Sequence, residues 1–170
     1  MRKEIQMSYY PTSLYSEIAP NLFMGGTDDA DVIQNPIAGD THRTDMPFDA
    51  IVTMYAWAQP ANWNIQEFRY GIYDASIAHI DLDRLKQTVE FGYNRWLSGD
   101  RLLVRCQAGL NRSGLVTALI LMSTGLDAET AIAEIRKNRA GVALFNTEYV
   151  TWLLNEGAAF LAPSSLQEIA

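Results

Sequence analysis

The chain has 170 residues, 48% hydrophobic and 19% charged, which is the balance of an ordinary folded domain and excludes a chain that stays unfolded through low hydrophobicity and high charge. That length suffices for one sizeable core and not for two well-packed ones, so a single domain spanning 1–170 is expected. Thirteen Lys and Arg against twenty Asp and Glu give a net charge of -7, a field that repels duplex nucleic acid and anionic membrane surfaces, so any anion must be captured locally.

In chain order, Ile18 to Met24 predicts a first short strand closed by Gly25-Gly26, with Thr27 or Asp28 typed to cap a short helix. Phe48 to Met54 is rich in β-branched and apolar residues and predicts a second strand, and Phe68 to Tyr73 a third. Then the period changes. Leu82, Leu85, Val89, Tyr93 and Trp96 recur at steps of three and four, one face of a helix that Asp81 is typed to cap and Gly99 to end. Arg101 to Cys106 predicts a buried strand, followed by a glycine-containing loop and a helix from about Ser113 to Ser123 that is apolar nearly all round, hence central. Asp127 to Arg139 predicts an amphipathic helix with acids first and bases last, as the helix dipole favours, and Thr147 to Phe160 a final helix. Strands come mainly early and helices mainly late, which points to an α/β fold with a central mixed sheet flanked by helices.

Cys106 is the only cysteine, so no intrachain disulfide is available and a reducing, cytoplasmic setting is expected. The longest apolar run, Leu115 to Met122, is too short to span a bilayer, and the first sixteen residues lack the continuous apolar stretch of a secretion signal. His42 and His79 are far apart with no further histidine, and Thr27 to Asp31 lacks the spaced oxygens of a calcium loop, so no metal and no cofactor is assigned. The aromatics Tyr55, Trp57, Trp63, Phe68, Tyr70 and Tyr73 either wall a cleft or pack in the core, and core packing is the expectation.

The informative segment is Val104-Arg-Cys-Gln-Ala-Gly-Leu-Asn-Arg-Ser-Gly114. A lone cysteine is ordinarily a small buried hydrophobe. Here a strand ends at Cys106 and a helix begins at Arg112, six residues on. A loop tightened by Gly109 and opening onto a helix N-terminus aims backbone N–H groups at one point and adds the positive end of the dipole. Gln107, Ala108, Gly109, Leu110, Asn111 and Arg112 are therefore read as a phosphate cradle, with the Arg112 fork gripping two oxygens. The same donors favour a thiolate at Cys106, with a pKa expected below the roughly 8.5 of a free cysteine. A phosphate held above a thiolate is set up for attack.

The segment resembles the signature loop of the cysteine-dependent protein phosphatases, a cysteine, five residues, an arginine and a Ser or Thr, and the length and short connections look most like the dual-specificity branch. The resemblance implies a protein tyrosine phosphatase-like fold in which Cys106 is the nucleophile that forms a phosphocysteine, Arg112 the clamp, and Ser113 a hydroxyl that helps the intermediate break down. It also implies a general acid on a mobile upstream loop. Asp74, 32 residues before Cys106, occupies the matching place; Asp81 and Asp83 are rivals whose position at a helix start already accounts for an acid. The implied substrates are phosphorylated proteins, carrying phosphotyrosine and also phosphoserine or phosphothreonine, or small phosphate esters. Two departures from the pattern leave alternatives open. Arg105 stands where the family usually has histidine, and it either adds a cation beside the thiolate or distorts the cradle, in which case the chain is a catalytically weak phosphate-binding module. Asn111 makes Gly109-Leu-Asn-Arg112 similar to the loop of RNA 5′-triphosphatases, an alternative enzyme reading.

Overall fold

A computed structural model describes residues 8–27 and 48–163. Five strands form one mixed sheet in the order β1-β2-β5-β3-β4, with β1 Tyr15–Ala19, β2 Leu22–Gly25, β3 Ala50–Thr53, β4 Gln66–Arg69 and β5 Leu102–Arg105. β1 runs antiparallel to β2, and the β2–β5, β5–β3 and β3–β4 pairs are parallel. The helices are α1 Leu82–Leu97, α2 Arg112–Met122, α3 Ala128–Asn138 and α4 Thr147–Leu161, with a short 3-10 turn at Ile77–His79. The expected α/β class and mixed sheet are what the chain adopts.

The single strand expected over Ile18 to Met24 is instead the turn of a hairpin. Asn21 takes a left-handed conformation (φ 65) that asparagine tolerates better than most residues, and Pro20 precedes it, so the chain reverses between Ala19 and Leu22. The Glu17 carboxylate accepts the Asn21 N–H at 2.9 Å and closes the turn. The third strand begins at Gln66, two residues before the apolar run that suggested it, and ends at Arg69. Its polar start is hidden from a hydrophobic pattern because Glu67 is used for hydrogen bonds inside the protein. Beyond Arg69 the backbone stays extended along β3, with Tyr70 N–H donating to Thr53 O and Ile72 N–H to Met54 O.

β5 lies at the centre, and its four residues are buried, as a strand covered on both faces must be. Alternation along it divides the core. Leu102, Val104 and Cys106 face a large cluster to which all four helices contribute, whereas Leu103 joins Phe23, Phe48, Ile51 and Ile65 on the opposite face. α2 is buried from Ser113 to Met122 and forms the centre of the helical layer. Asp81 caps α1 as expected, accepting the N–H groups of Asp83 and Arg84, and Gly99 (φ 97) follows its end. The buried face of α1 is Leu85, Thr88, Val89 and Gly92, so Leu82 lies outside it. Asp127 caps α3 and Asn146 caps α4. The helix expected after Gly26, the acidic stretch Asp28 to Asp31 and His42 lie outside the described residues.

Candidate active site

Because β5 is parallel to its neighbours, its C-terminal end is where the connecting loops gather and where a ligand site is expected. Cys106 sits there, 2% exposed, with its N–H donating to Gly25 O at 3.1 Å. The loop that follows has its carbonyls turned outward. Gln107 O accepts Thr27 N–H at 2.9 Å, Leu110 O accepts Leu144 N–H at 3.1 Å, Gly109 O accepts Arg139 Nε at 3.0 Å, and Ala108 O accepts Arg139 Nη2 at 3.5 Å. In a trans peptide the N–H points opposite to the C=O that precedes it. The amides of Ala108, Gly109, Leu110 and Asn111 therefore face the concave side, where the N-terminus of α2 adds its dipole. Such a set of inward donors can accept a tetrahedral oxyanion.

Gly109 makes the bowl possible. Its φ is +69, and a Cβ there would lie 2.3 Å from the Gly25 carbonyl carbon and 2.4 Å from the Gly26 nitrogen. The Gly25-Gly26 turn after β2 is thus backbone packed on backbone, and the cradle needs both loops.

Inside the bowl, Cys106 Sγ lies 3.2 Å from Ser113 Oγ. Arg112 Nη1 donates to Ile72 O at 3.1 Å, and its guanidinium carbon lies 5.3 Å from the centroid of the Tyr55 ring. Arg112 Nε is buried without a protein partner among the described residues, a donor available to an oxyanion. Asp74 follows the extended stretch beyond β4. Its Oδ2 accepts Asn111 Nδ2 at 2.8 Å and its Oδ1 accepts Asn146 Nδ2 at 2.8 Å. Asn111 Oδ1 in turn accepts the Asn146 N–H at 3.0 Å, and Tyr149 OH donates to Tyr73 O at 2.9 Å. The acid-bearing segment, expected as a free loop, is tied to the starts of α2 and α4. The Tyr149 hydroxyl is pushed up to about 12, first by burial and then by the nearby Asp74 carboxylate. Asp81 and Asp83 stay at the start of α1, where Asp81 caps.

Arg105 neither enters the cradle nor crowds it. Alternation sends its side chain to the face opposite Cys106, where Nε donates to Thr53 Oγ1 (3.0 Å) and Nη2 to Gln59 O (2.6 Å) and Glu67 Oε2 (3.1 Å). The side chain is fully buried in an ion pair with Glu67. Core packing also fails for part of the aromatic set. Trp57 is 82% exposed, Trp63 97% and Tyr73 84%, while Tyr55, Phe68 and Tyr70 are half-buried. Short segments with no regular period carry the exposed three, so hydrophobicity alone overstates their burial.

Three residues of the site escaped the sequence pattern. Arg139, read as a basic helix end, is buried and also donates to Ser13 O, Leu14 O and Ser16 Oγ, bracing the outer wall of the cradle. Burial lowers its pKa below the ordinary arginine value, opposed by the attraction of Cys106. Nothing in the sequence pattern gave Asn146 a role, and Glu67 sat in a polar pair that masked its strand. A cavity of about 640 Å³ lies at the far end between α1, α2 and α4 and shares no residue with the cradle; another of about 460 Å³ adjoins Asp74 and Asn146. Among the described residues, no group of three or more His, Cys, Asp or Glu is placed to hold a metal ion.

No family model and no curated protein sequence matches the chain. Solved structures do. Human DUSP28 is 22% identical with a TM-score of 0.68, over 90% of this chain and 99% of that one. The human tyrosine phosphatase-like serine/threonine/tyrosine-interacting protein is 21% identical with a TM-score of 0.67, over 87% and 98%. A mouse putative dual specificity phosphatase complexed with zinc tungstate is 21% identical with a TM-score of 0.64, over 95% and 99%. The chain has the fold of the dual-specificity and tyrosine phosphatases.

Proposed function

We propose that the protein is a cysteine-dependent phosphatase that hydrolyses phosphomonoesters through a phosphocysteine. The observation that carries this reading is the position of Cys106 Sγ beside Ser113 Oγ at the base of a loop whose carbonyls are satisfied on its outside. One structural neighbour is named as an interacting protein and another as a dual specificity phosphatase, so fold likeness leaves binding and turnover to be decided by the side chains.

In the proposed reaction the phosphoryl oxygens lie on the inward amides and the Arg112 fork. The Cys106 sulfur attacks phosphorus, the bond to the ester oxygen breaks, and Asp74 gives its proton to that oxygen. Such proton transfer contributes roughly 10²–10⁴ in rate. Asp74 then takes a proton from the water that attacks the phosphocysteine. The Ser113 hydroxyl stabilises the departing sulfur, and the donors of the cradle stabilise charge on the equatorial oxygens in both steps. Phosphorylated proteins and small phosphate esters are the substrates that fit, and a single cysteine suits a cytoplasmic setting. The binding-module alternative rested on Arg105, which faces away from the bowl. The RNA 5′-triphosphatase alternative rested on Asn111, whose side chain is engaged by Asp74 and Asn146.

The test is turnover of 4-nitrophenyl phosphate by the full chain with a chelator present. Loss of turnover in Cys106→Ser is the expected result; turnover that survives the substitution overturns the reading.

A further inference from the structure

The segment from Tyr55 to Ala61, between β3 and β4, is held by charged side chains at its backbone. Arg105 donates to Gln59 O, Arg69 Nη2 to Ala56 O and Ala58 O, and Glu67 Oε1 accepts Ala61 N–H. Glu67 Oε2 links the two arginines and also accepts the Thr53 hydroxyl at 2.6 Å. Register explains the convergence. Arg105, Thr53 and Arg69 lie side by side across β5, β3 and β4, so one row of side chains spans the end of the sheet beneath this segment. Of the segment's side chains, Tyr55 and Ala61 pack on the two core clusters and Ala58 is buried, whereas Trp57 projects into solvent, and the polar network holds the backbone between these anchors. At its start, the Tyr55 ring rests against the guanidinium of Arg112. Tyr55 thus brings the start of the segment to the cradle.

We infer that Arg105 is a positioning residue: from the strand that carries the nucleophile it holds the Tyr55–Ala61 segment as a preformed wall for the ester group of the substrate, with Trp57 as the contact. The family histidine is replaced by a group that works on the opposite face of the sheet and acts on the rim. Buried ion pairs are costly to desolvate and are best spent where they fix a geometry. Here the fixed geometry is the spacing between the rim and Arg112. This inference rests on the phosphatase reading and concerns the part of the substrate beyond the phosphoryl group.

The experiment compares Arg105→Lys, Trp57→Ala and the double variant with 4-nitrophenyl phosphate as substrate and inorganic phosphate as inhibitor. Lysine keeps the charge and loses the fork that spans Thr53, Gln59 and Glu67. Each single variant is expected to raise KM about 3- to 10-fold, the range of one aromatic contact. The inhibition constant of inorganic phosphate, which has no ester group, should stay at the wild-type value, as should kcat and the rate of iodoacetate alkylation of Cys106. The double variant should raise KM no further than the larger single one, because both changes act through one wall. Should Arg105→Lys fail to fold, Arg105→Met with Glu67→Gln removes the pair as a unit, and the same KM rise is expected. An unchanged KM, a parallel rise in the phosphate inhibition constant, or a fall in kcat that only follows the folded fraction overturns the inference. Turnover that persists in Cys106→Ser would instead reject the phosphatase reading itself.

Discussion

Asn111 Nδ2 donates to Asp74 Oδ2 at 2.8 Å, joining the residue before the clamp arginine to an acid 37 positions away in the chain. The contact couples the two halves of the proposed chemistry, since whatever orients the cradle also orients the acid. Asp74→Ala should cost roughly 10²–10⁴ in kcat on phenyl phosphate, and much less on 4-nitrophenyl phosphate, whose leaving group departs without a proton. Asn111→Ala should show the same dependence on leaving group at a smaller scale, about 10-fold, the worth of one hydrogen bond to a charged group. Rates measured across a series of aryl phosphates check both. Equal losses on every leaving group would move the acid elsewhere.

Gly109→Ala should abolish phosphate binding and destabilise the protein by about 2–4 kcal/mol, since a methyl group there adds a left-handed backbone penalty to a clash with Gly25 and Gly26. Calorimetry with inorganic phosphate measures the binding, and denaturant unfolding the loss of stability. Wild-type stability in this variant would mean that the two turns do not pack as described.

Arg139→Met removes a buried guanidinium that satisfies Ala108 O and Gly109 O from outside the cradle. Unpaired buried carbonyls cost roughly 1–3 kcal/mol each, so a loss of about 3 kcal/mol is expected. Released carbonyls can also turn inward, and the affinity for inorganic phosphate should fall in the fraction of protein that remains folded. Intact phosphate affinity in folded Arg139→Met would show that the brace is dispensable to the bowl.

The central part of this site was legible because its chemistry is local. A buried strand ending at Cys106, a glycine where the loop must turn and a helix opening at Arg112 are contiguous in the chain, so their types and spacing define the cradle. Asp74 was legible only through the resemblance, which supplied its distance from the cysteine. Residues whose partners lie far off in sequence were not legible. Arg139 reads as a favourable charge at a helix end, and only the fold brings Ser13 and Leu14 to it. Arg105 reads as a cation beside the thiolate, although strand alternation, applied to Val104 and Cys106, already places it on the other face. The hairpin at Pro20-Asn21 was hidden because both of its strands are short and the apolar run continues through the second.

Tyr149→Phe separates a hydrogen bond from a proton. In the wild type the raised pKa means that the fold favours the protonated phenol, so its contribution to stability is complete below pH 10, the ordinary tyrosine value, and is lost as pH rises through about 12. The variant should be less stable at neutral pH by about 1 kcal/mol, through loss of the bond to Tyr73 O, and should lack this alkaline decline. Unfolding midpoints measured between pH 7 and pH 12 give both results. An identical alkaline decline in the two chains would assign it to another group.

Rapid mixing with a phosphate ester, quenching in acid and mapping of the phosphorylated residue by mass spectrometry tests the proposed mechanism most directly. A phosphoryl group on Cys106, accumulating further when Asp74→Asn slows hydrolysis of the intermediate, is the result predicted. A phosphoryl group on any other residue, or turnover with none on Cys106 in either chain, would contradict it.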